Sequence, residues 1–383
     1  MPKGAPYPVI DCDGHISEPI DLWDQYLDSR TAGRASAALR MVNHPGGGVS
    51  ACVEGEFIGE ASFQGGGGFG KTAAQISKAH WNPVDMHRGG FENVQRIKDM
   101  DAMGIDAAVL YPSMCLLING VKDAELAAAM CRAFNKHLAE FCKPYKTRLF
   151  GAAMVPAQSV SFMIDVAADA ALVGHKAIAV RPNAVHGRAL HHKYYDRFWD
   201  AMQEVKMAVA LHPAATSEVQ GTFDTISSLG SDSHRMLPDA LALPFDCMMT
   251  LSWLMFSGTL DRHPDVRIAV LEASGSWATM FIERLDKRVK YGGGPAGGRT
   301  PDIKSLPSEI FKRQCFVAFE SEEAAMPRLA DVVGDSMIWG SDYPHFDGEA
   351  PAEAIENVSR LPVEMQAKIM SGNAMRLYGI RMD

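Results

Sequence analysis

Short runs of apolar residues recur along most of the chain, and longer amphipathic segments separate them. Each short run is typical of a strand that is buried on both faces, whereas apolar residues at intervals of three or four positions are typical of a helix. The first run, at residues 9–10, follows Pro8 and predicts a strand that ends near Asp13. Counting this one, the pattern predicts eight strands, near residues 10, 108, 152, 178, 209, 269, 317 and 338.

Helices are predicted between the strands from residue 91 onward. They cover residues 91–103, 124–141, 162–172, 194–205, 244–260, 278–289, 352–359 and 363–378. Such alternation implies right-handed crossovers and a parallel sheet, and eight units favour a closed barrel over an open sheet. We therefore predict an α/β protein with the (β/α)8 TIM-barrel fold, in which residues 1–383 form a single domain.

The segment from about residue 31 to residue 90 lacks clear periodicity. It contains glycine runs at residues 46–48 and 65–68, and glycine gives the backbone conformational freedom at an entropic cost. A long segment of this kind is typical of an active-site lid or of an ordinary surface insertion. We predict a Gly-rich insertion after the first strand and leave both interpretations open.

Polar residues follow several of the predicted strands, and in such barrels the chemistry takes place at the carboxyl ends of the strands. Asp13 and His15 alternate, so both side chains leave the same face of the first strand. His212 follows the fifth strand and Asp342 follows the eighth. Each residue alone has a structural explanation as a turn or cap residue. Together they predict a metal site, because carboxylate oxygens and neutral imidazole nitrogens bind divalent metals.

Three further residues end strands at the same rim: Arg181 on the fourth, Glu272 on the sixth, and His345 just beyond the eighth. Arg181 could hold a substrate carboxylate or belong to a structural turn. Glu272 fits a general base that takes a proton from metal-bound water, and His345 could share this role or stabilise charge on a substrate oxygen. We expect one divalent metal, with zinc preferred and manganese or iron as alternatives. A second metal would need ligands such as Glu18 or Glu320.

Composition and charge narrow the range of partners. The net charge is -9 and there is no basic run, so nucleic acid is not expected as a partner. The N-terminus lacks an apolar signal core and no segment approaches about 18 uninterrupted apolar residues, so no membrane partner is expected. Seven scattered cysteines without a CxxC pair are typical of reduced thiols. We therefore predict a cytoplasmic protein that acts on a small molecule.

The strand-end residues lie in motifs that span nearly the whole chain. The motifs are residues 10–18 (IDCDGHISE), 180–183 (VRPN), 209–213 (VALHP), 258–264 (GTLDRHP), 270–277 (VLEASGSW), 283–286 (ERLD), 338–345 (IWGSDYPH) and 373–379 (NAMRLYG). In these motifs and their order, the chain resembles the amidohydrolase-related (amidohydrolase 2) family of metal-dependent TIM-barrel enzymes. That family contains aminocarboxymuconate-semialdehyde decarboxylase and aromatic acid decarboxylases.

The resemblance implies that Asp13 and His15 are the paired first-strand ligands, and that His212 and Asp342 are the ligands of the fifth and eighth strands. Asp13 replaces the first histidine of a His-x-His pair, a change that some members share. Glu272 stands where the decarboxylases carry a histidine, so their catalytic histidine has no counterpart here. No lysine ends the fourth strand, so a carbamylated lysine that bridges two metals is not implied. The resemblance also implies a possible homodimer.

Three functions remain open. The first is a metal-dependent hydrolase of a small aromatic or carboxylate-bearing substrate, because Glu272 supplies a base beside metal-bound water. One alternative is a nonoxidative decarboxylase of an aromatic or related carboxylic acid, which the resemblance implies. The other is a dinuclear non-heme iron oxygenase on the same barrel, which would use a carboxylate-rich site.

Overall fold

A computed structural model describes residues 5–58, 65–230, 236–292 and 303–382. Within these ranges the chain forms eleven strands. They are β1 Ile10–His15, β2 Leu39–Asn43, β3 Val49–Val53, β4 Glu56–Ile58, β5 Ala107–Tyr111, β6 Leu149–Met154, β7 Ala177–Val180, β8 Ala208–Leu211, β9 Ile268–Val270, β10 Cys315–Phe319 and β11 Met337–Trp339.

Helices connect the strands. In chain order they are α1 Leu22–Tyr26, α2 Ser29–Ala38, α3 Ala73–Ile76, α4 Asn93–Met103, α5 Ala124–Cys142, α6 Val160–Leu172, α7 Asp196–Val205, α8 Thr222–Leu229, α9 Met236–Phe256, α10 Thr259–Arg262, α11 Ala278–Lys290, α12 Pro307–Gln314, α13 Met326–Val333, α14 Ala352–Val358, α15 Val363–Ala367 and α16 Asn373–Tyr378. A π-helical turn, Lys368–Gly372, joins the last two.

Eight of the strands form one parallel sheet in the order β1, β5, β6, β7, β8, β9, β10, β11. The sheet is joined into a barrel just beyond its carboxyl ends. There the amide of Asp342 donates to the carbonyl of Asp13 at 2.7 Å, and the amide of His15 donates to the carbonyl of Tyr343 at 2.7 Å. These elements confirm the predicted (β/α)8 TIM barrel, with all eight strands where the apolar runs placed them.

Every residue of the eight barrel strands is buried. Such burial on both faces is expected of a parallel sheet that helices cover from outside and side chains fill from inside. It explains why the strands read as continuous apolar runs rather than as alternating ones. The polar residues that follow these runs therefore stand at a rim where the core ends.

The segment between β1 and α4 is partly regular. Strands β2, β3 and β4 form an antiparallel sheet, in which Leu39 faces Val53 and Ala51 faces Ile58. The later part of the segment contacts the barrel rim, because the hydroxyl of Ser17, just after β1, donates to the carbonyl of Gly66 at 3.0 Å. Our prediction of an insertion at about residues 31–90 did not foresee this small sheet, and a lid role stays a prediction.

Helix α9 begins earlier than the sequence pattern predicted. The sequence pattern predicted a helix over residues 244–260, but the helix begins at Met236, ends at Phe256 and contains Pro244 in its interior. Within the described ranges, the stretch Leu237–Phe256 is long and apolar enough to span a bilayer by length and composition alone. In this fold 39% of that stretch is buried, so it serves at least in part as a helix packed on the barrel.

Candidate metal centre

Four residues from three strand ends meet at the carboxyl rim of the barrel. The Nε2 atom of His212 lies 3.2 Å from the Oδ1 atom of Asp13. The Nε2 atom of His15 lies 3.2 Å from Asp342 Oδ1 and 3.2 Å from His212 Nε2. The structure therefore brings together all four residues that the sequence predicted as ligands. Their donor atoms form two groups that share His15: one with Asp13 and His212, and one with Asp342 and His345.

His15 and His212 present the correct nitrogen for binding a metal. His15 Nδ1 lies 2.9 Å from the carbonyl of Pro112, and His212 Nδ1 lies 3.0 Å from the carbonyl of Pro213. A carbonyl only accepts hydrogen bonds, so each Nδ1 carries the proton and each Nε2 keeps its lone pair. Burial, followed by the nearby charges of His345 and His212, lowers the pKa of His15 well below its usual value. A neutral imidazole is the form that binds a metal.

Asp13 and Asp342 each keep one carboxylate oxygen available for a cation. Asp13 Oδ2 accepts a hydrogen bond from the Glu272 amide at 3.1 Å, which fixes the orientation of the side chain. Among the described residues, the buried atoms Asp13 Oδ1 and Asp342 Oδ1 have no hydrogen-bond donor. Leaving a charged oxygen buried without a partner is costly, and a cation beside His15 would remove that cost. The donor set therefore fits a divalent ion.

Three of the six described non-glycine residues with positive φ angles lie in the loops that carry the cluster. Glu272, Ser274 and Asp342 have positive φ angles of 44°, 49° and 52°. A residue other than glycine rarely adopts this conformation, which costs about 1 kcal/mol or more and persists only where the surroundings enforce it. Two of these residues, Glu272 and Asp342, face the cluster, so the surrounding structure fixes their backbone where the candidate ligands meet.

Glu272 stands beside the cluster. Its Oε2 atom lies 3.5 Å from Nδ1 of His212, and its carboxylate lines a cavity next to the four residues. Burial, and then the charges of Asp342 and Asp13, raise the pKa of Glu272 well above its ordinary value. The Glu272 carboxyl group can therefore hold a proton at a pH where most carboxyl groups are ionised.

His345 bridges the cluster and the cavity. Its Nδ1 atom lies 3.0 Å from Asp342 Oδ2, and its ring stacks on that of His15 with the centroids 4.0 Å apart. Its Nε2 atom lies 3.0 Å from the hydroxyl oxygen of Ser113. Burial is the largest single effect on the pKa of His345 and would lower it, but the charge and hydrogen bond of Asp342, together with the charges of Asp347 and Asp13, raise it.

Arg181 is placed away from the four residues. Its guanidinium donates to the carboxylate of Glu218, and both side chains are almost completely buried. It also donates to the carbonyl of Ala214 at 3.2 Å. The hydrogen bonds of the guanidinium therefore go to the loop that follows β8. The sequence suggested either a substrate contact or a structural role for Arg181, and these contacts are structural.

The two acids named for a second metal have different surroundings. The Glu18 carboxylate accepts hydrogen bonds from the backbone amides of Ser113, Met114 and Cys115, at 3.0, 2.9 and 2.9 Å. It is therefore committed to the turn after β5. Glu320 lines the cavity, and burial, followed by the nearby charges of Glu323 and Glu322, raises its pKa to about 7.

Sequence reasoning missed two residues that support the site. Ser113 follows β5 and contacts His345, but a serine in a strand-end loop carries no distinguishing signal. Arg96 of α4 is completely buried and donates from Nη2 to the carbonyl of His15 and from Nε to the carbonyl of Gly89. Its guanidinium also covers the ring of Tyr343, 4.3 Å from the centroid. An arginine on an amphipathic helix is normally exposed, so its inward direction could not be read from the pattern.

A cavity of about 660 Å³ lies next to the cluster. Leu116, Leu243 and Pro244 contribute apolar surface to its lining. Glu272 and His345 stand where the cavity meets the candidate ligands, because each contacts one of the four residues and also lines the cavity. A volume in this range accommodates a small organic molecule.

The chain shares sequence and fold with known proteins. The sequence model of the family named Amidohydrolase matches residues 10–380. The 2-amino-3-carboxymuconate-6-semialdehyde decarboxylase of Dictyostelium discoideum is 21% identical over 321 residues, which are 81% of this chain and 80% of that protein.

Solved structures extend the likeness to the complete fold. An amidohydrolase from Mycobacterium avium subsp. paratuberculosis superposes with a TM-score of 0.78 at 22% identity, over 99% of each chain. The 5-carboxyvanillate decarboxylase of Novosphingobium aromaticivorans, solved with manganese and 4-hydroxy-3-methoxy-5-nitrobenzoic acid, superposes with a TM-score of 0.68 at 19% identity. That likeness covers 98% of this chain and 96% of the other.

Proposed function

Because the chain belongs to the Amidohydrolase family, we propose that it is a metal-dependent nonoxidative decarboxylase of an aromatic or related carboxylic acid. Membership makes it an enzyme of the amidohydrolase superfamily, whose members include metal-dependent hydrolases and carboxy-lyases. The observation that carries the proposal is the group of Asp13, His15 and His212, with Asp342 3.2 Å from the shared His15, beside a cavity of about 660 Å³. Relatives with named activities, one by sequence and one by structure, are decarboxylases, which favours carbon dioxide release over hydrolysis.

We propose that the four residues hold one divalent ion. The sequence favoured zinc, with manganese or iron as alternatives. The manganese in the Novosphingobium decarboxylase supports manganese instead, and the donor set of two carboxylates and two imidazoles suits either ion. When bound, the ion supplies positive charge that holds the substrate carboxylate and an adjacent oxygen.

The reaction needs one proton and releases one molecule of carbon dioxide. The bond between the carboxylate carbon and the neighbouring carbon breaks, and its electron pair stays on the neighbouring carbon, which then takes up a proton. Glu272 is placed to deliver that proton, because it lines the cavity and because burial, the largest cause of its raised pKa, favours the protonated form. His345 can stabilise negative charge on a substrate oxygen, with its ring fixed by Asp342 and Ser113.

A hydrolase is the second candidate, because Glu272 occupies the position where the resembling decarboxylases carry a histidine. As a carboxylate, Glu272 would act as a general base toward water beside the metal ligands. A dinuclear iron oxygenase, the third function, has less support, because the amides of residues 113–115 already occupy the Glu18 carboxylate.

A substrate panel separates the three functions. Protein loaded with manganese is incubated with hydroxybenzoates, with aryl esters and amides, and with the same acids under oxygen. We expect carbon dioxide from at least one hydroxybenzoate, without oxygen uptake. Hydrolysis of esters or amides without carbon dioxide release would favour the second candidate, and oxygen consumption would favour the third.

A homodimer, a cytoplasmic location and the absence of nucleic-acid and membrane partners stay predictions. An apolar stripe on α9, consisting of Leu237, Phe245, Met249 and Trp253, supports the homodimer because about half of each side chain is exposed. The described residues of α8 and α9 include no lysine or arginine, so the stripe has no positive charge to attract an anionic lipid surface. A second copy of the chain is the occupant that fits it.

A further inference from the structure

The cavity beside the metal ligands has an uneven distribution of charge. Four carboxylates line it: Asp239, Glu272, Glu320 and Asp347. No lysine or arginine is among the described residues that line it. A divalent ion would balance the charges of Asp13 and Asp342, and Glu272 is placed to carry a proton. The negative charge of the wall therefore comes from Asp347 and, above its pKa of about 7, from Glu320.

The acids are close enough to influence one another. Glu272, Glu320 and Asp347 line this cavity and also line, with Asp13 and Asp342, an adjacent cavity of about 120 Å³. Glu320 is held by the hydroxyl of Ser274 at 3.1 Å, so its carboxylate has a fixed place on the wall. The backbone between His345 and Asp347 is tied into a turn, in which the amide of Gly348 donates to the carbonyl of His345 at 3.2 Å. The negative wall is therefore part of the built cavity.

The remaining lining is mostly apolar. Leu116, Leu243 and Pro244 contribute to it, together with Phe346, which is 45% exposed. A ring inside the cavity would thus meet apolar surface as well as carboxylates. Carboxylate oxygens accept hydrogen bonds, so hydroxyl or amino groups on the ring could donate hydrogen bonds to Glu320 and Asp347. Among the described residues of the lining, only His345 can carry a positive charge, and its Nδ1 atom is paired with Asp342. A second carboxylate beside Glu320 and Asp347 would therefore face like charge.

We infer that the substrate is a monocarboxylate, in which the single carboxylate binds at the metal ligands and the ring carries hydrogen-bond donors toward Glu320 and Asp347. Acids with a second carboxylate are rejected by the charge of the cavity wall. This inference rests on the proposed function, because it takes the metal ligands as the place where the substrate carboxylate binds. Among the acids on which such an enzyme could act, those with one carboxylate are therefore expected as substrates and those with two are not.

A matched pair of ligands tests the inference by binding alone. Salicylate carries one carboxylate, and 4-hydroxyisophthalate is the same molecule with a second carboxylate on the ring. Isothermal titration calorimetry on the manganese-loaded protein should show salicylate binding at least about tenfold more tightly, as expected for an added charge near like charges. Glu320→Gln and Asp347→Asn should each reduce that ratio several-fold. The control Asp331→Asn, at an exposed residue of α13 outside the cavity lining, should leave it unchanged.

Each other result contradicts a defined part of the account. Equal or tighter binding of 4-hydroxyisophthalate, or no binding of either ligand, overturns the inference. A preference that neither substitution changes overturns the assignment to Glu320 and Asp347. If binding follows the expected ratios but no hydroxybenzoate releases carbon dioxide, the charge preference stands and only the proposed decarboxylation fails.

Discussion

His15 is the residue that the two halves of the cluster share. Its Nε2 atom lies within reach of Asp13 and His212 on one side and of Asp342 on the other. The carbonyl of Pro112 fixes the orientation of the His15 ring, and Arg96 donates a hydrogen bond to the backbone carbonyl of His15. Such outer contacts orient a ligand and set which nitrogen is free, so they contribute to metal affinity although they never touch the ion.

The ligand role of His212 can be tested by removing it. His212→Ala should release most of the bound metal, because one of four donor groups is lost from a site without a spare imidazole in the same position. The control is His263→Gln, which removes another buried histidine, one that pairs with Asp200 instead of the cluster. Elemental analysis after gel filtration measures both. Full metal occupancy in His212→Ala would refute its role.

Glu272 should matter for turnover rather than for assembly. Glu272→Gln keeps the shape of the side chain and the amide that holds Asp13, so the fold and the metal should remain. The rate of product formation should fall at least about a hundredfold, which is a typical acid–base contribution. If the variant turns over at a rate near that of wild type, the proton comes from elsewhere and Glu272 is structural.

The sequence revealed the ligands for a physical reason. Asp13, His15, His212 and Asp342 interrupt apolar runs at strand ends, and in a parallel barrel all those ends share one rim. The partners of Arg181 and Arg96 could not be predicted, because a buried guanidinium is identified by its contacts, and those come from distant parts of the chain.

At the level of elements, the strands were predictable and the early segment was not. The barrel strands are short, fully buried and apolar, which leaves a clear signal. Strands β2, β3 and β4 are three to five residues long, lie among glycine runs and alternate irregularly, so they leave almost none. The antiparallel sheet is defined by pairing between neighbours, which a search for periodicity does not detect.

The approach of β11 to β1 sets the geometry of two ligands. A Cβ atom added at Gly340 would lie 2.5 Å from the Cβ atom of Asp13, so no larger residue fits there without displacement. Gly340→Ala should lower the free energy of unfolding by about 1–3 kcal/mol, as expected for overpacking, and should weaken metal binding by shifting Asp13. Urea denaturation and metal titration measure the two effects.

Gly33 provides the matched control. It lies inside α2 with no atom within 4 Å of an added Cβ, so Gly33→Ala should leave metal binding unchanged and raise stability by up to about 1 kcal/mol. If Gly340→Ala kept both the stability and the metal affinity of wild type, the contact between β1 and β11 would not position Asp13.

At the scale of the whole molecule, the apolar stripe on α9 predicts self-association. Met249→Glu places a charge in the middle of the stripe and should convert a dimer into a monomer. Met280→Glu is the control, because Met280 on α11 is 53% exposed, close to the 51% of Met249, but lies outside the stripe. Sedimentation velocity distinguishes the species. A monomeric wild-type protein would contradict the homodimer, and equal effects of both substitutions would contradict the stripe.

The barrel brings the candidate metal ligands together from parts of the chain that are more than three hundred residues apart, and the proposed chemistry depends on a cation that they hold. Elemental analysis of protein purified without added metal tests it most directly. We predict one divalent ion per chain, manganese by preference. Treatment with a chelator should remove this ion, and the protein should then no longer release carbon dioxide from its substrate. Two ions per chain, or catalysis that survives complete removal of the metal, would contradict the account.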